Sequence, residues 1–341
     1  MQGTTITRER FRLDSVDDAL GDRQGRFFGE GFKRVTQGLS AITVRPAGAS
    51  APGTVDADAG IRIPGVWSRK GESHQRPHLS TIDAMQFAAQ LTGLYAAHVH
   101  ELPPTGHFVV RSLCIKAGCT PDEESLDRFP VSALHESTRE LPGTDRLLTT
   151  MDCRIGSMTV RVEAEHSGSA ATVRTEGSYA HPEYLPGVWN DAPYGASHHG
   201  RHQYLLDVAG AADSLSADAE LRITEALQAP DALDGAAPEP LEPTMVDLFV
   251  ASLQLGQVLL YRLDGLDRAT SNTLWMRGTT IAPAEEPAGE PAERPAADRR
   301  LRVVLARPNE LPTAEGTWRA ARIQATYGGL SLSCNVAHLL P

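Results

Sequence analysis

The sequence predicts an α+β protein made of two copies of one unit, each an antiparallel sheet curved around one long apolar helix. Two pairs of similar segments predict the duplication. STIDAMQFAAQLTGLY and TMVDLFVASLQLGQVL share Ser/Thr-x-x-Asp followed by Gln-Leu, and their aspartates, Asp83 and Asp247, are 164 positions apart. IGSMTVRVEAEH and YGGLSLSCNVAH end in His166 and His338, which are 172 positions apart. Similar segments that recur in the same order indicate tandem copies of one fold.

The elements follow the same order in both halves. Runs of β-branched and alternating apolar residues predict strands in the first half at Ser40–Val44, Phe108–Lys116, Leu147–Ile155 and Met158–Glu165. In the second half they predict strands at Gln203–Val208, Ala219–Ile223, Thr273–Ile281, Leu301–Leu305, Arg319–Tyr327 and Leu330–Ala337. Each half also carries one long helix that is apolar on nearly all sides. Such a helix has to be enclosed by a curved sheet, which is the hot-dog arrangement, and two copies give a double (tandem) hot-dog fold.

The boundary between the units is predicted in the proline-rich stretch His181–Pro193. This gives an N-terminal hot-dog domain over residues 1–185 and a C-terminal one over residues 186–341. Corresponding residues of the two halves are 164 positions apart in the first pair of segments and 172 apart in the second. This increase requires an insertion in the second half, between the two segments. The Pro/Ala/Glu tract at residues 282–298 is the candidate, and its composition predicts a mobile surface loop.

Composition and charge limit the classes of function. The 341 residues carry a formal net charge of −11 and no basic stripe, so nucleic acid is not an expected partner. Met245–Leu263 is long and apolar, but it contains Asp247, Gln254, Gln257 and Arg262, which favours a buried helix over a membrane span. The four cysteines show no paired spacing and the N-terminus is charged, so we expect reduced thiols in a cytoplasmic protein.

Two interpretations of the helix starts are open. Ser/Thr-x-x-Asp at a helix start is typical of a capping box, in which Asp83 and Asp247 would only satisfy backbone amides. Alternatively, a carboxyl group that enters the interior is desolvated, its pKa rises, and it can act as a general acid or base. The backbone amides of Thr81, Ile82 and Asp83 would then hold a carbonyl oxygen that becomes an enolate. An aspartate beside such amides predicts an enolisation site.

Other residues are candidates with a structural alternative beside the functional one. His78 precedes the first helix and is a candidate catalytic residue or a surface histidine. Gln90 and Gln254 lie two turns after the aspartates and are substrate contacts or satisfied core amides. The HHGRH stretch at residues 198–202 has no fixed acidic third ligand, so no metal is expected. Candidates for sugar or carrier contacts are Arg34, Asn272, Trp275 and Arg277.

Four segments resemble the avirulence protein D (AvrD) family of bacteria, and the similarity extends from about residue 14 to residue 338. They are GRFFGEGFKRVTQGLS (Gly25–Ser40), PHLSTIDA (Pro77–Ala84), LCIKAG (Leu113–Gly118) and SNTLWM (Ser271–Met276). The family is associated with the making of syringolides, acyl glycoside-like elicitors assembled from a β-ketoacyl unit and a pentulose sugar. The Pro/Ala/Glu tract departs from the family pattern, which leaves another sugar or acyl partner open.

A more distant resemblance adds a mechanism. FFGEGF and STIDAMQ are similar to signals in the second hot dog of polyketide and fatty-acid dehydratases. These signals are carried here by Phe28, Gly29, Phe32, Asp83, Ala84 and, approximately, Gln86. In those enzymes an aspartate works opposite a histidine, and the resemblance implies substrate contacts at Phe28 and Gly29. The usual His-x-x-x-Gly-x-x-x-x-Pro motif is missing, which argues against simple dehydration. A-factor-type butenolide synthases, which are also double hot dogs, join a β-ketoacyl thioester to a hydroxyketone.

These resemblances imply an enzyme that joins a β-ketoacyl thioester to a polyhydroxy ketone. Acyl transfer and aldol-type condensation with loss of water would give a syringolide- or butenolide-like lactone. The alternatives are a hot-dog dehydratase or thioesterase acting on acyl carrier substrates, or a non-catalytic acyl-ligand binding module. No cofactor is expected beyond the phosphopantetheine of an acyl carrier protein or coenzyme A that carries the acyl group. The fused pair predicts a monomer (a pseudo-dimer) or a homodimer.

Overall fold

The computed structural model describes residues 10–71, 73–103, 106–173, 175–185, 197–211, 215–225, 241–284 and 300–341. The helices are α1 (Asp17–Leu20), α2 (Thr81–Val99) and α3 (Met245–Asp264). The strands before α2 are β1 (Arg10–Ser15), β2 (Thr36–Arg45), β3 (Thr54–Arg62), β4 (Arg69–Lys70) and β5 (Ser73–His74). Those between α2 and α3 are β6 (Phe108–Lys116), β7 (Phe129–Glu140), β8 (Leu147–Ile155), β9 (Met158–His166), β10 (Gly177–Tyr179), β11 (Arg201–Ala211) and β12 (Ser216–Glu225). After α3 come β13 (Trp275–Pro283), β14 (Arg300–Thr313), β15 (Gly316–Tyr327) and β16 (Leu330–Leu339).

Fourteen of the described strands form one antiparallel sheet. Its order is β1-β11-β12-β14-β15-β16-β13-β6-β9-β8-β7-β3-β2-β10, and β4 and β5 pair separately. Strands of the first half and of the second half meet where β13 pairs with β6, with Thr279 opposite Ile115. The N-terminal strand β1 crosses over and pairs with β11 at the far edge of the second half. A large antiparallel sheet with few helices fits a hot-dog fold.

Helix α2 is enclosed by the strands of the first half. All of its residues except Gln90 are buried, and it packs against β2, β3, β6, β7, β8 and β9. Six strands side by side span about 24 Å, whereas a helix with its side chains is about 10–12 Å wide. A single helix can touch all six strands only if the sheet curves around it. Irregular pairing supports this curvature, because bulges bend and twist strands.

Two of these bulges occupy similar places in the two halves. The pairing of β2 with β3 shifts between Ser40 and Thr43, and Ala41 has a φ of 51°. The pairing of β11 with β12 shifts after Leu206, and Asp207 has a φ of 43°. Both strands therefore bend shortly after they pass the start of the helix that they cover.

Helix α3 is the core helix of the second half and packs against β11, β12, β14, β15 and β16. By length and composition Met245–Asp264 resembles a membrane span, but 89% of its apolar window is buried inside the protein. Burial of this kind is typical of the core helix of a soluble protein. The prediction of a buried helix in this segment is therefore confirmed.

Several predicted strands match the structure closely, and others are missing from the prediction. Phe108–Lys116 and Leu147–Ile155 are strands with the predicted bounds. The prediction omits β3 and β7, which lie between β2 and β8 in the sheet. The predicted start of the second domain at residue 186 lies outside the described residues. So does most of the predicted loop at residues 282–298, whose first residues, up to Pro283, continue strand β13.

Candidate active site

The carboxyl group of Asp83 lies inside the protein, in the first turn of α2. Ser80 is the N-cap residue, and its hydroxyl oxygen accepts the amide N–H of Asp83 at 3.2 Å. In return, Asp83 Oδ2 accepts the amide of Ser80 at 2.9 Å and its hydroxyl at 2.6 Å. Asp83 Oδ1 accepts the side-chain amide of Gln37 on β2 at 2.6 Å. Asp83 is 1% exposed, so neutral donors rather than bulk water surround its two oxygens.

Burial raises the pKa of Asp83 above its ordinary value of 3.8. The hydrogen bonds from Ser80 and Gln37 favour the charged form, and nearby His78 does so weakly, but desolvation is the larger effect. A carboxyl group whose pKa is raised towards neutral can accept a proton and return it. The site therefore has the kind of group that general acid–base chemistry needs.

The first turn of α2 also has backbone amides that can bind an oxygen. The first helical hydrogen bond runs from Ala84 N to Ser80 O at 3.1 Å, and the amide of Asp83 is taken by the hydroxyl of Ser80. In the part of the chain that the structure describes, the amides of Thr81 and Ile82 have no acceptor. Two such amides at a helix start carry partial positive charge and can stabilise an oxyanion.

Asp247 occupies the same position in α3 but has different surroundings. Thr244 forms the same capping box, and Gln203 on β11 donates to Asp247 Oδ1 at 2.6 Å, as Gln37 does to Asp83. In addition, Arg201 donates to Asp247 Oδ2, from Nε at 2.9 Å and from Nη2 at 2.8 Å. This guanidinium is 11% exposed. Asp247 thus belongs to a buried ion pair, whereas no lysine or arginine of the described segments pairs with Asp83.

A cavity of about 330 Å³ lies between the two halves, and Ser80 is part of its wall. Its wall is formed by residues 26–28, 67, 68, 70, 74–76, 78, 80 and 123 of the first half and by residues 254, 257, 268 and 273–276 of the second. Asp83 is not in the wall but one hydrogen bond behind it, through the hydroxyl of Ser80. A ligand in the cavity would therefore meet Ser80 first and exchange a proton with Asp83 through that hydroxyl.

Aromatic rings form one side of this cavity, and His78 stands among them. Its ring lies 4.5 Å from that of Trp67 and 6.2 Å from that of Trp275, measured between ring centres. Burial lowers the pKa of His78, so the imidazole is neutral at neutral pH. Its Nδ1 lies 3.3 Å from the carbonyl oxygen of Arg76, which assigns the proton to Nδ1 and leaves Nε2 as an acceptor. His78 is thus a second candidate base in the cavity.

Three more of the predicted residues line the same cavity. Phe28 lies there in a π-helical turn, Phe27–Gly31, with its ring edge-on to Phe249 at 5.8 Å. Gln254 is buried, and its side-chain oxygen accepts a hydrogen bond from Arg26 at 2.8 Å. Trp275 is half-buried in the wall. The structure thus brings Phe28, Gln254 and Trp275 together with His78.

The other predicted residues lie around this cavity or away from it. Gly29 is buried against the carbonyl group of Arg23, which leaves no room for a side chain. Thr81 and Ile82 are buried in the first turn of α2, and Gln90 is partly exposed on the same helix. Outside the cavity wall, Arg34 donates to the carbonyl of Gln24, Asn272 to that of Leu339, and Arg277 to that of Gly118.

Arg277 and Trp275 also line a second, open groove of about 710 Å³. Its wall includes Arg307, Arg322 and Trp318 from β14 and β15. Because Trp275 belongs to both walls, the groove and the cavity are neighbours. The groove adds three arginines to a surface next to the cavity.

The histidines of the HHGRH stretch contact first-half residues. The ring of His198 stacks on Phe32 and its nitrogens approach the side-chain amide of Gln86. His202 lies 3.2 Å from the ammonium group of Lys33. Throughout the described ranges, no three histidine, cysteine or acidic side chains are gathered as metal ligands.

Sequence reasoning missed Gln37, Arg201 and Trp67, three residues that define the two helix starts and the cavity. The sequence did contain a signal for the glutamine. Gln37 and Gln203 are 166 positions apart, close to the 164 positions between Asp83 and Asp247, so they are corresponding residues of the two halves. Arg201 has no counterpart of this kind, since Val35 stands 166 positions before it. The sequence therefore shows an arginine in the second half where the first half has a valine. The consequence of that difference depends on the contact between Arg201 and Asp247.

The large antiparallel sheet around buried helices fits a hot-dog fold, and the acid at the start of α2 gives it a candidate acid–base site. Residues 11–341 match the family described as Pseudomonas avirulence D protein (AvrD), so the chain belongs to the AvrD family. The predicted resemblance to this family is confirmed.

Solved structures with hot-dog or acyl-processing descriptions resemble the chain at low similarity. The tesB protein of Mycobacterium avium subspecies paratuberculosis is 11% identical, with 84% of this chain and 93% of that chain covered and a TM-score of 0.33. A trans-AT polyketide synthase dehydratase domain from Brevibacillus brevis is 11% identical, with coverages of 87% and 96% and a TM-score of 0.34. An acyl-ACP thioesterase from Bacteroides thetaiotaomicron is 9% identical, with coverages of 90% and 99% and a TM-score of 0.34. No curated protein sequence matches the chain.

Proposed function

We propose that this protein is a biosynthetic enzyme that joins a β-ketoacyl thioester to a polyhydroxy ketone and closes the product to a lactone. The observation that carries the proposal is the buried carboxyl group of Asp83, which forms no ion pair with any described residue and is linked through Ser80 to a cavity that also contains His78. Membership of the AvrD family supports the same chemistry, since this family is associated with products made from these two components.

The first step is acyl transfer. A hydroxyl group of the ketone attacks the thioester carbonyl, the carbon–sulfur bond breaks, and the thiol leaves with the proton that the hydroxyl gave up. His78 is the base in this step, because its Nε2 is an acceptor in the cavity wall. The amides of Thr81 and Ile82 stabilise the oxyanion of the tetrahedral intermediate.

The second step is an internal condensation. The methylene group between the two carbonyls of the new ester loses a proton, and its carbon attacks the ketone carbonyl of the former second substrate. Loss of one water molecule then leaves a carbon–carbon double bond in the lactone ring. Asp83 takes the first methylene proton through the hydroxyl of Ser80 and gives it to the alkoxide that forms on the former ketone carbon. It then takes the second proton of the same methylene carbon and gives it to the departing hydroxyl group, which leaves as water, so the carboxyl ends in its starting state.

The structure favours Asp83 over Asp247 for this role. A base needs an oxygen that is free to take up a proton, and Nε and Nη2 of Arg201 both occupy Oδ2 of Asp247 in a buried ion pair. Asp83 has only neutral donors at its oxygens and a pKa raised by burial. We therefore assign catalysis to the first half and a structural role to the second helix start.

The acyl group would arrive along the groove that Trp275 shares with the cavity. Arg277, Arg307 and Arg322 line this groove, and their charges suit the phosphate of a phosphopantetheine arm on a carrier protein or coenzyme A. Trp275 would then mark the point where the thioester passes from the groove into the cavity. In this arrangement the two substrates enter from different sides.

We also propose that the halves arose by duplication, so that one chain holds the paired sheets of a hot-dog dimer. The paired bulges at Ala41 and Asp207 and the paired glutamines Gln37 and Gln203 support this, because each pair is 166 positions apart. A cytoplasmic monomer needs no further copy of the chain to complete the cavity, since its wall comes from both halves of one chain.

The test is a product assay on the full chain. The protein is incubated with a β-ketoacyl thioester of N-acetylcysteamine, with and without dihydroxyacetone, and the products are identified by mass spectrometry. The proposal predicts a lactone mass, equal to both substrates minus the thiol and one water, only when the ketone is present. Free β-keto acid formed equally well without the ketone would instead indicate a thioesterase, and intact thioester in both samples would indicate a binding module.

A further inference from the structure

The cavity between the halves is positively charged in a protein that is acidic overall. Arg26, Lys70, Arg76 and Arg268 line it, and the acidic residue in its wall is Glu123. Glu123 pairs with Arg76 at 2.6 Å, so this acid does not neutralise the other three cations. The whole chain carries a formal charge of −11. A local excess of positive charge in such a chain predicts an anionic ligand.

Two nitrogen donors on side chains of the cavity wall lack an acceptor. Arg26 is 3% exposed, and it donates to Gln254 and pairs with Asp17 through its two terminal nitrogens. Its Nε has no partner in the described part of the chain, and the same holds for Nε1 of Trp67, which is 7% exposed. A buried donor without an acceptor is unfavourable, and a ligand oxygen that accepts from it would remove that cost.

Arg268 is the cation with the fewest partners. Within the residues described, its side chain makes one long hydrogen bond, 3.5 Å to the hydroxyl of Ser68, and no ion pair. Burial lowers the pKa of Arg26 and of Lys70, and repulsion by the charge of Arg268 lowers both further. Lys70 also pairs with no carboxylate among these residues, and its ammonium group donates to oxygens of Ser271 and Asn272. Among the described residues Arg268 and Lys70 have no ion-pair partner and Arg26 pairs with Asp17, so the three cations around this space outnumber the anions beside them.

We propose that this cavity binds the phosphate group of a phosphorylated polyhydroxy ketone, with Arg268 as its main ligand and Arg26 and Lys70 beside it. The inference rests on the proposed function and names the class of its second substrate. A phosphate monoester carries nearly two negative charges at neutral pH and several acceptor oxygens, which suits three cations better than a neutral sugar. The guanidinium of Arg268 can bind two of these oxygens side by side.

A phosphate could also come from the other substrate, as the diester of a phosphopantetheine arm. The location argues for the ketone. The cations lie in the cavity that holds His78 and Ser80, whereas the groove beyond Trp275 has its own arginines. The two sources are separated below by using coenzyme A as a competing ligand.

The test is calorimetric binding to the full-length protein with no thioester present. Dihydroxyacetone phosphate, dihydroxyacetone, inorganic phosphate and coenzyme A are titrated into the wild type, Arg268→Gln and Arg69→Gln. Arg69 neighbours Lys70 in the same ladder but is exposed and outside the cavity wall, so its variant is the matched control for lost charge. We expect dihydroxyacetone phosphate to bind at least about tenfold more tightly than dihydroxyacetone. Arg268→Gln should weaken that binding by about 10- to 100-fold, and Arg69→Gln by less than about twofold.

Equal affinity for the phosphorylated and the neutral ketone would overturn the inference. So would binding of coenzyme A that depends on Arg268 when the ketone phosphate does not bind. A failure of the proposed function can be told apart from a failure of this inference, because ligand binding needs no proton transfer and is measured without turnover. Asp83→Asn should bind dihydroxyacetone phosphate as the wild type does, even if the wild type forms no lactone.

Discussion

Replacing each helix-start aspartate by asparagine separates catalysis from stability. Asp83→Asn keeps the shape of the side chain and removes the charge. The asparagine oxygen can still accept the Ser80 amide and hydroxyl, and its NH₂ group can donate to Gln37 once the Gln37 side-chain amide turns to present its oxygen, so we expect a stability loss of about 1 kcal/mol or less. Loss of a general acid–base group lowers turnover by about 10²- to 10⁴-fold, or about 3–5 kcal/mol of barrier.

Asp247→Asn should behave in the opposite way. It breaks the pair with Arg201, whose guanidinium is nearly buried and would keep an unbalanced charge. Removing one partner of a buried pair costs about 3–5 kcal/mol. Arg201 retains partial exposure and a hydrogen bond to the carbonyl of Glu242 at 2.7 Å, so we expect about 2–4 kcal/mol here. Turnover by the folded fraction should stay within about threefold of wild type.

The assay measures lactone formation and urea unfolding for the wild type and both variants under one set of conditions. Because burial raises the pKa of folded Asp83, this group stabilises the protein most below about pH 4 and less as pH rises through its folded pKa. The stability of Asp83→Asn relative to wild type should therefore improve as pH rises. The reasoning is refuted if Asp83→Asn keeps wild-type turnover, or if Asp247→Asn stays stable and loses activity.

Three further predictions concern positioning, packing and acid stability. Gln37→Leu removes a donor to the charged form of Asp83, so the acidic limb of the pH–rate profile should move to higher pH, whereas Gln203→Leu should leave it in place. Gly29→Ala should cost about 1–3 kcal/mol in urea unfolding because its Cβ would meet the carbonyl of Arg23, and Gly25→Ala, which has open space around it, should cost nearly nothing. Burial lowers the pKa of His166 to about 4, so its neutral form stabilises the protein above about pH 6.5 and this stability is lost between about pH 6.5 and 4. Replacing His166 by Gln should flatten that acid loss, and a thermal-unfolding profile of unchanged slope would contradict the assignment.

The sequence predicts well those features that depend on local pattern. The apolar helix at Met245–Asp264 and the strand Leu147–Ile155 follow from runs of apolar residues long enough to be unambiguous. Strand β3, TVDADAGIR, was missed because its buried positions are partly alanines that alternate with aspartates, so its alternation in hydrophobicity is weak. Strand β7 was missed because much of its second half is exposed and polar, which gives no buried face to detect.

In the candidate site, too, the features set by local sequence could be predicted and those set by contacts between distant residues could not. The capping boxes at Asp83 and Asp247 are local patterns, so their geometry could be predicted. The difference between them could not, because Arg201 lies 46 positions from Asp247 and reaches it only through the pairing of strands. The cavity depends on contacts of still longer range, such as that between Lys70 and Ser271, 201 positions apart. Such contacts are set by the register of the whole sheet, which no local pattern encodes.

The most direct measurement is a crystal structure of the protein with an inert β-ketoacyl substrate in which CH₂ replaces the thioester sulfur. The account predicts that the acyl carbonyl oxygen lies within hydrogen-bond distance of the amides of Thr81 and Ile82. The methylene between the carbonyls should then face Ser80, one hydrogen bond from Asp83. An acyl chain seated at the start of α3 against Asp247, or bound outside the cavity, would contradict it.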